Sequence, residues 1–228
     1  MSGTLGLAVV AATIGALHTF APDHWVPFAA LARAERWSAR RTAAVTAACG
    51  VGHVTVSVAL GLISLLVGLE LMRAVGEHLE RIAGLLLIAF GVVYGLWGLH
   101  RAMRDRIHAR LHGVLPPHQH SHSGHHHHHP PYEGEGRRTA WTLFVLFSAD
   151  PCVAVVPLMF AAAPLGWIST LLVVLAYEVA TIATMVGLAL PARAVASTVR
   201  GAWADRFGDA LAGGIITAVG VFVAVVGI

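Results

Sequence analysis

His18-Thr19-Phe20-Ala21-Pro22-Asp23-His24 is the stretch around which the chain organises itself. It closes an apolar segment that begins at Leu5, so two imidazoles and a carboxylate fall at membrane depth or at its edge. Ionisable groups at that depth are expensive and mark functional positions by default. The spacing adds a second point. Side chains on one face of a continuous helix recur every three or four residues, but Asp23 follows His18 by five, with Pro22 between them. Proline removes a backbone donor and clashes with the preceding turn, so the helix is expected to break between Phe20 and Pro22. A break can turn His18, Asp23 and His24 toward one point and leave backbone groups free beside them, the way ion sites are built near a bilayer midplane. The plainer alternative makes Asp23 the cap of a helix starting at Trp25 and His24 an interfacial side chain.

The rest of the composition places this stretch in a membrane. Of 228 residues, 57% are hydrophobic and 12% charged, with a mean hydropathy of +0.72, whereas soluble domains carry about 25% charged residues. All 15 basic residues are arginine, and the net charge of +3 reads as topology rather than as a nucleic-acid surface. The first apolar segment lacks a basic leader and a small-residue cleavage site, so it is expected to be a retained span. Cys49 and Cys152 both sit in apolar segments, with no CxxC and no disulfide framework.

About 20 apolar residues cross a bilayer as a helix, and on that basis six spans are expected in an all-α integral membrane protein. They are 5–20 (continuing past the break as 25–31), 42–69, 82–99, 139–163 (interrupted at 148–151), 167–190 and 210–228. Thirteen of the 15 arginines fall in the loops after spans one, three and five. The positive-inside rule then makes those loops cytoplasmic, in the inner (plasma) membrane, with both termini outside. Trp97, Trp141 and Trp167 near span ends fit an aromatic belt, and Trp203 and Phe207, four apart in the 193–209 connector, fit an interfacial helix.

Three spans on either side of a long polar loop predict three parts: a first membrane half (1–99), a flexible loop (100–138) and a second half (139–228). Since three is odd, homologous halves would be inverted. Ala21-Pro22-Asp23-His24 has a counterpart in Ala149-Asp150-Pro151-Cys152, each placing an Asp beside a proline inside an apolar helix. Span two carries His53 among Thr55 and Ser57, and span five carries Tyr177-Glu178 among Thr181 and Thr184. The expected architecture is therefore a 3+3 inverted repeat with broken helices in spans one and four.

The intramembrane polar set is His18, Asp23, His24, His53, Asp150, Cys152 and Glu178. Imidazole with carboxylate suits nickel, cobalt, zinc and copper. His53 is equally explained by hydrogen bonding across the bundle. Glu178 needs a partner and is a ligand or a proton carrier. Asp150 also suits an N-cap at the second break, and Cys152 ranks last, as a small buried side chain.

The His-x4-Asp-His motif resembles the signature of the nickel/cobalt permeases (NiCoT/NicO type, of the LysE-like transporter superfamily). Gly52-His53-Val54-Thr55 is similar to that family's second-span Gly-His-Ser-Thr motif, and Phe147-Ser148-Ala149-Asp150 falls where the family has a Gly-Phe-Asp element. The following Thr-Ala-Thr-Glu is replaced by Pro151-Cys152, and six spans match the shorter NicO-type and urease/hydrogenase-accessory-like permeases. The resemblance implies a secondary transporter, not an enzyme, that moves nickel or cobalt (zinc or copper being alternatives) with no permanently bound cofactor.

The central loop carries His108, His112, His118, His120, His122, His125, His126, His127, His128 and His129, ten histidines in 22 residues among prolines. Such a tract cannot bury a core, and its physical property is loose, multisite capture of borderline metal ions. A cytoplasmic capture loop favours efflux slightly over uptake. The expected partners are the bilayer and a transition-metal ion, with a homo-oligomer possible and no nucleic acid. Two rivals remain open: a membrane thiol–disulfide conductor using Cys49 and Cys152, and a metal-binding accessory protein for a metalloenzyme with no transport activity of its own.

Overall fold

The computed structural model describes residues 2–68, 82, 84–104, 133–150, 152, 154–198, 201, 203 and 206–226. The histidine-rich stretch from His108 to His129 lies outside them. Every regular element among the described residues is helical. In the first half, α1 (Ser2–His18) ends at a 3-10 turn (Pro22–His24), followed by α2 (Val26–Ala34), α3 (Ala39–Val67) and α4 (Gly84–Arg104). In the second, α5 (Glu133–Ser148) and α6 (Val155–Ala162) precede a 3-10 turn (Ala163–Leu165), α7 (Trp167–Thr198) and α8 (Gly208–Val226).

This is a multi-pass, all-α membrane protein in contact with lipid. Among the described residues α3, α4, α7 and α8 are each long and apolar enough to cross a bilayer, and the α1–α2 pair, bent by 84°, makes a fifth crossing if it is one span. The six expected spans are therefore found as four or five. The shortfall falls on span four, which the second break divides into α5 and α6, each too short to cross alone.

Local chemistry sets the boundaries. Ser38 caps α3 by accepting from the Arg41 N–H at 3.2 Å, so α3 starts earlier than its hydropathy suggests. Span five was expected to stop at 190, before Pro191 and Arg193, yet α7 continues through both to Thr198. Its extension is anchored by Arg193, whose guanidinium donates twice to the Trp37 carbonyl at 2.9 and 2.6 Å. Arg206 likewise donates to the Ala102 carbonyl at 3.3 and 3.1 Å, and Arg101 pairs with Asp209 at 3.5 Å. These contacts draw the arginine-rich ends after α2, α4 and α7 to one face of the molecule.

Helix directions follow from who meets whom. Thr4 bonds Ser169 and Gly15 abuts Tyr177 and Thr181, so α1 runs parallel to α7. Gly52 meets Ser148, Ser57 binds Cys152 and Gly61 meets Met159, so α3 runs parallel to α5 and α6. In contrast α4 and α8 are antiparallel: Gly84 meets Ala224, Gly91 meets Thr217 and Gly98 meets Ala210. The α4–α8 seam is backbone-close. A Cβ on Gly98 would stand 2.6 Å from the Ala210 nitrogen, and small residues at that spacing are the usual means of close helix contact in lipid.

Candidate metal centre

The first break forms where its sequence predicts. Thr19 donates its hydroxyl to the Gly15 carbonyl at 2.6 Å, and the Phe20 and Ala21 amides tighten onto Leu17 and His18 at 3.1 Å each. The chain then turns through Pro22–His24, with the His24 amide on the Ala21 carbonyl at 3.2 Å and the Trp25 indole on the Phe20 carbonyl at 3.3 Å. Pro27 sits in the first turn of α2, where a missing N–H costs nothing. Asp23 does not cap α2: no side chain does. The alternative reading of Asp23 as a cap is set aside by that geometry.

The turn brings His24 against His18, the last residue of α1, and against His53 in the middle of α3. Ring centroids lie 4.5 Å apart for His18–His24 and 5.3 Å for His24–His53, both edge-on. The three residues each offer a ligand atom, and these atoms all lie within 4.8 Å of one another. His24 and His53 are each only 2% exposed.

The outer nitrogens are held from behind. His53 Nδ1 is 3.3 Å from the Phe147 carbonyl at the end of α5, and His24 Nδ1 is 3.0 Å from Asp23 Oδ1, in ion-pair contact without hydrogen-bond alignment. Backbone carbonyls and carboxylates at the back of an imidazole are what orient metal-binding histidines. The Nε2 atoms of His18, His24 and His53 are all buried with no hydrogen bond. Buried polar atoms are nearly always paired, and each orphan costs about 1–3 kcal/mol. Three imidazoles that each place a ring nitrogen within 4.8 Å of the others, and each leave a buried nitrogen unpaired, fit a cation. Nitrogens around one tetrahedral ion at about 2.0–2.1 Å lie ~3.4 Å apart, so small ring rotations would close the site. Three imidazoles and a fourth position left open suit zinc, copper, iron or nickel, and offer too few oxygens for magnesium or calcium.

Asp23 (5% exposed) therefore stands behind His24 rather than in the ring of three. Asp150 lies within electrostatic reach of His24, and with Asp23 it lines a cavity of about 20 Å³ together with Leu87, Leu146 and Phe147. That volume holds about one water. Asp150 is not an N-cap, because α6 starts only at Val155 and carries no side-chain cap. Glu178 is half-buried on α7 and is not among the three residues that converge.

Cys152 is tied down. Its amide donates to Ser57 Oγ at 2.6 Å, Ser57 donates to the His53 carbonyl at 2.7 Å, and the thiol lies 2.6 Å from the Tyr177 hydroxyl. Cys49 is buried in a separate apolar cluster with Phe28, Phe147 and Met185, and both cysteines are free thiols. Sequence reasoning named the three histidines but missed the Phe147 carbonyl and the Tyr177 partner. A backbone acceptor leaves no residue-type signal, although the break at 148–151 was one.

A family model described as "Cytochrome C biogenesis protein transmembrane region" matches residues 8–222. Neither the curated proteins nor the solved structures gave a match. The family match overturns the expected kinship with the nickel/cobalt permeases. The motif that suggested it is seven residues long, and its spacing reports a proline-broken helix carrying polar groups, which is a local geometry rather than a lineage. The missing Thr-Ala-Thr-Glu after Asp150 was the sign of the difference.

Proposed function

The chain belongs to the family of the cytochrome c biogenesis protein transmembrane region, and on that premise we propose that it is an intramembrane metal-binding protein serving the maturation of a metalloprotein. It holds one borderline transition-metal ion between His18, His24 and His53 as cargo and has no enzymatic role. The observation that carries this reading is the convergence of three imidazoles, two of them buried and one half-buried, each with an Nε2 that has no hydrogen bond. The family description supports it, because a c-type cytochrome is a metalloprotein whose assembly has to handle metal and its ligands. Asp23 orients His24, the Phe147 carbonyl orients His53, and Asp150 shares with Asp23 the water-sized cavity beside them.

The architecture we infer is an inverted repeat. Parallel α1–α7, parallel α3–α5 and antiparallel α4–α8 are the directions that two oppositely oriented halves produce, and the order of broken pair, long helix and shorter helix recurs in both. The arginine-rich face is then cytoplasmic by the positive-inside rule, and the tract around His118 to His129 gathers ions there.

The test is metal content. Full-length protein dialysed against a weak chelator should retain about one more zinc ion per chain than the His24→Ala variant, since the loop histidines are common to both. Equal retention overturns the reading.

A second reading, thiol–disulfide conduction, is favoured by the family description and by Cys152 lying at a helix break beside Tyr177. It requires a partner thiol from outside this chain. Cys49 and Cys152 are free thiols in separate apolar clusters, Cys152 being bonded to Ser57, about two turns of α3 beyond Cys49. Cytochrome c maturation that persists in a Cys49→Ser, Cys152→Ser double variant removes this reading.

A further inference from the structure

Trp203 and Phe207, an interfacial pair by sequence, stand at the head of an open groove along α8. The groove measures about 450 Å³, with walls of Trp203, Phe207, Leu211 and Ile215 and a floor of Ala210, Gly214 and Ala218. Trp203 is 64% exposed, and its ring lies 5.6 Å from that of Phe207. The floor residues recur every four positions, which sets them in one line along the helix. A Cβ on Gly214 would meet nothing within 4 Å, whereas Gly213 and Gly220 abut Gly95 and Ile88. So α8 has two small-residue faces: α4 closes one, and the other is open among the described residues.

The length of the groove and its two ends define what fits. From Phe207 to Ala218 the chain rises about 16 Å, roughly half of the ~30 Å hydrocarbon core. The next position in the floor line is Phe222, an exposed ring flanked by exposed Val221 and Val225. The groove therefore spans one leaflet and stops. That suits an acyl chain, whereas a second transmembrane helix laid along the line would meet Phe222 where close packing needs a small residue. The other end is cationic. The Arg206 guanidinium lies over the Phe207 ring at 5.7 Å, Arg33 Nη1 is 3.5 Å from where a Cβ on Gly208 would stand, and Arg101 pairs with Asp209 at 3.5 Å. The carboxylates set among them, Asp209 and Glu35, are both engaged: Asp209 also accepts from the Tyr94 hydroxyl at 3.4 Å, and Glu35 accepts from the Trp37 indole at 2.8 Å. Three guanidiniums against two carboxylates leave positive charge at the mouth, beside aromatic rings of the kind that settle at headgroup depth.

We infer that this groove is a binding site for one anionic phospholipid, drawn from the leaflet on the arginine-rich face. Its acyl chain lies along Ala210, Gly214 and Ala218, and its phosphate sits beside Arg206 at the mouth. The apolar groove takes the chain of any lipid, and the arginines select the negative headgroup, since each basic side chain near the surface favours anionic lipid. The site owes nothing to the three-histidine centre and stands whether or not that centre holds metal.

The experiment is native mass spectrometry of the full-length protein in detergent, titrated with phosphatidylglycerol and with phosphatidylcholine of identical acyl chains. Wild type should hold one phosphatidylglycerol per chain and prefer it to phosphatidylcholine roughly fivefold or more. Gly214→Leu fills the floor without touching a neighbour and should abolish that retention. Gly187→Leu, at an equally open glycine on α7 outside the groove, should leave it at the wild-type level. Arg206→Gln keeps a donor for the Ala102 carbonyl and should lower the preference about fivefold. A wild type without preference, a Gly214→Leu variant that retains the lipid, or an equal loss in Gly187→Leu overturns the inference. A wild-type dimer that Gly214→Leu splits, with no lipid held, assigns the groove to a second copy of the chain and overturns it as well.

Discussion

The two helix breaks share a plan and differ in how they treat their polar atoms. At the first, Pro22-Asp23-His24 turns an imidazole inward and leaves its inner nitrogen without a hydrogen bond, facing two more. At the second, the Cys152 amide and thiol are both engaged, by Ser57 and by Tyr177. The carboxylates differ too: Asp23 backs His24 directly, whereas Asp150 acts on it electrostatically and shares a small cavity with Asp23. The first break leaves imidazole nitrogens unsatisfied within a three-histidine cluster and is built to receive a ligand, whereas the second engages the Cys152 amide and thiol and leaves only the Ser148 hydroxyl without a hydrogen bond among its described residues. The first break is the binding half of the centre and the second its support, contributing the Phe147 carbonyl behind His53.

The largest effect that tests this division is on the imidazoles. His24→Ala should weaken zinc binding at the centre more than a hundredfold, measured by competition with a chelating dye, without loss of folded protein in detergent. Asp23→Asn comes next: it keeps the shape but removes the charge behind His24, and loss of such a partner typically costs 10–100-fold in metal affinity. If Asp23→Asn matches His24→Ala, the carboxylate is a direct ligand and the picture of Asp23 as a backing group is wrong.

The second break predicts smaller changes. Tyr177→Phe should release the Cys152 thiol and raise its labelling by a membrane-permeant maleimide severalfold, with zinc affinity within twofold of wild type. Cys152→Ser should leave zinc affinity within twofold as well. A loss comparable to the histidine variants would make the thiol a ligand and erase the contrast between the breaks.

How much of this was legible beforehand differs between the breaks for a physical reason. The position of Pro22 and the five-residue gap from His18 to Asp23 forecast a bend, because proline chemistry is local and acts through the backbone of its own helix. The gathering of His53 with His18 and His24 depends on how α3 lies against the bend, and the sequence offered it only as one of two readings. The second break was visible as Asp150-Pro151, but the direction of its donors was not, because Ser57 and Tyr177 belong to α3 and α7. The family affiliation was misread from the same seven residues that forecast the bend, since a bend with histidines is a geometry that unrelated chains can reach. The extension of α7 past Pro191 was hidden too, because the contact that anchors it is to the carbonyl of Trp37.

The measurement that bears most directly on the centre is an anomalous difference map at the zinc absorption edge from crystals of the full-length protein grown with zinc. A single strong peak inside the triangle of His18, His24 and His53, with Asp23 behind His24 and outside the coordination sphere, is the predicted result. Zinc found only elsewhere on the chain, with that triangle bare at saturating zinc, would contradict it.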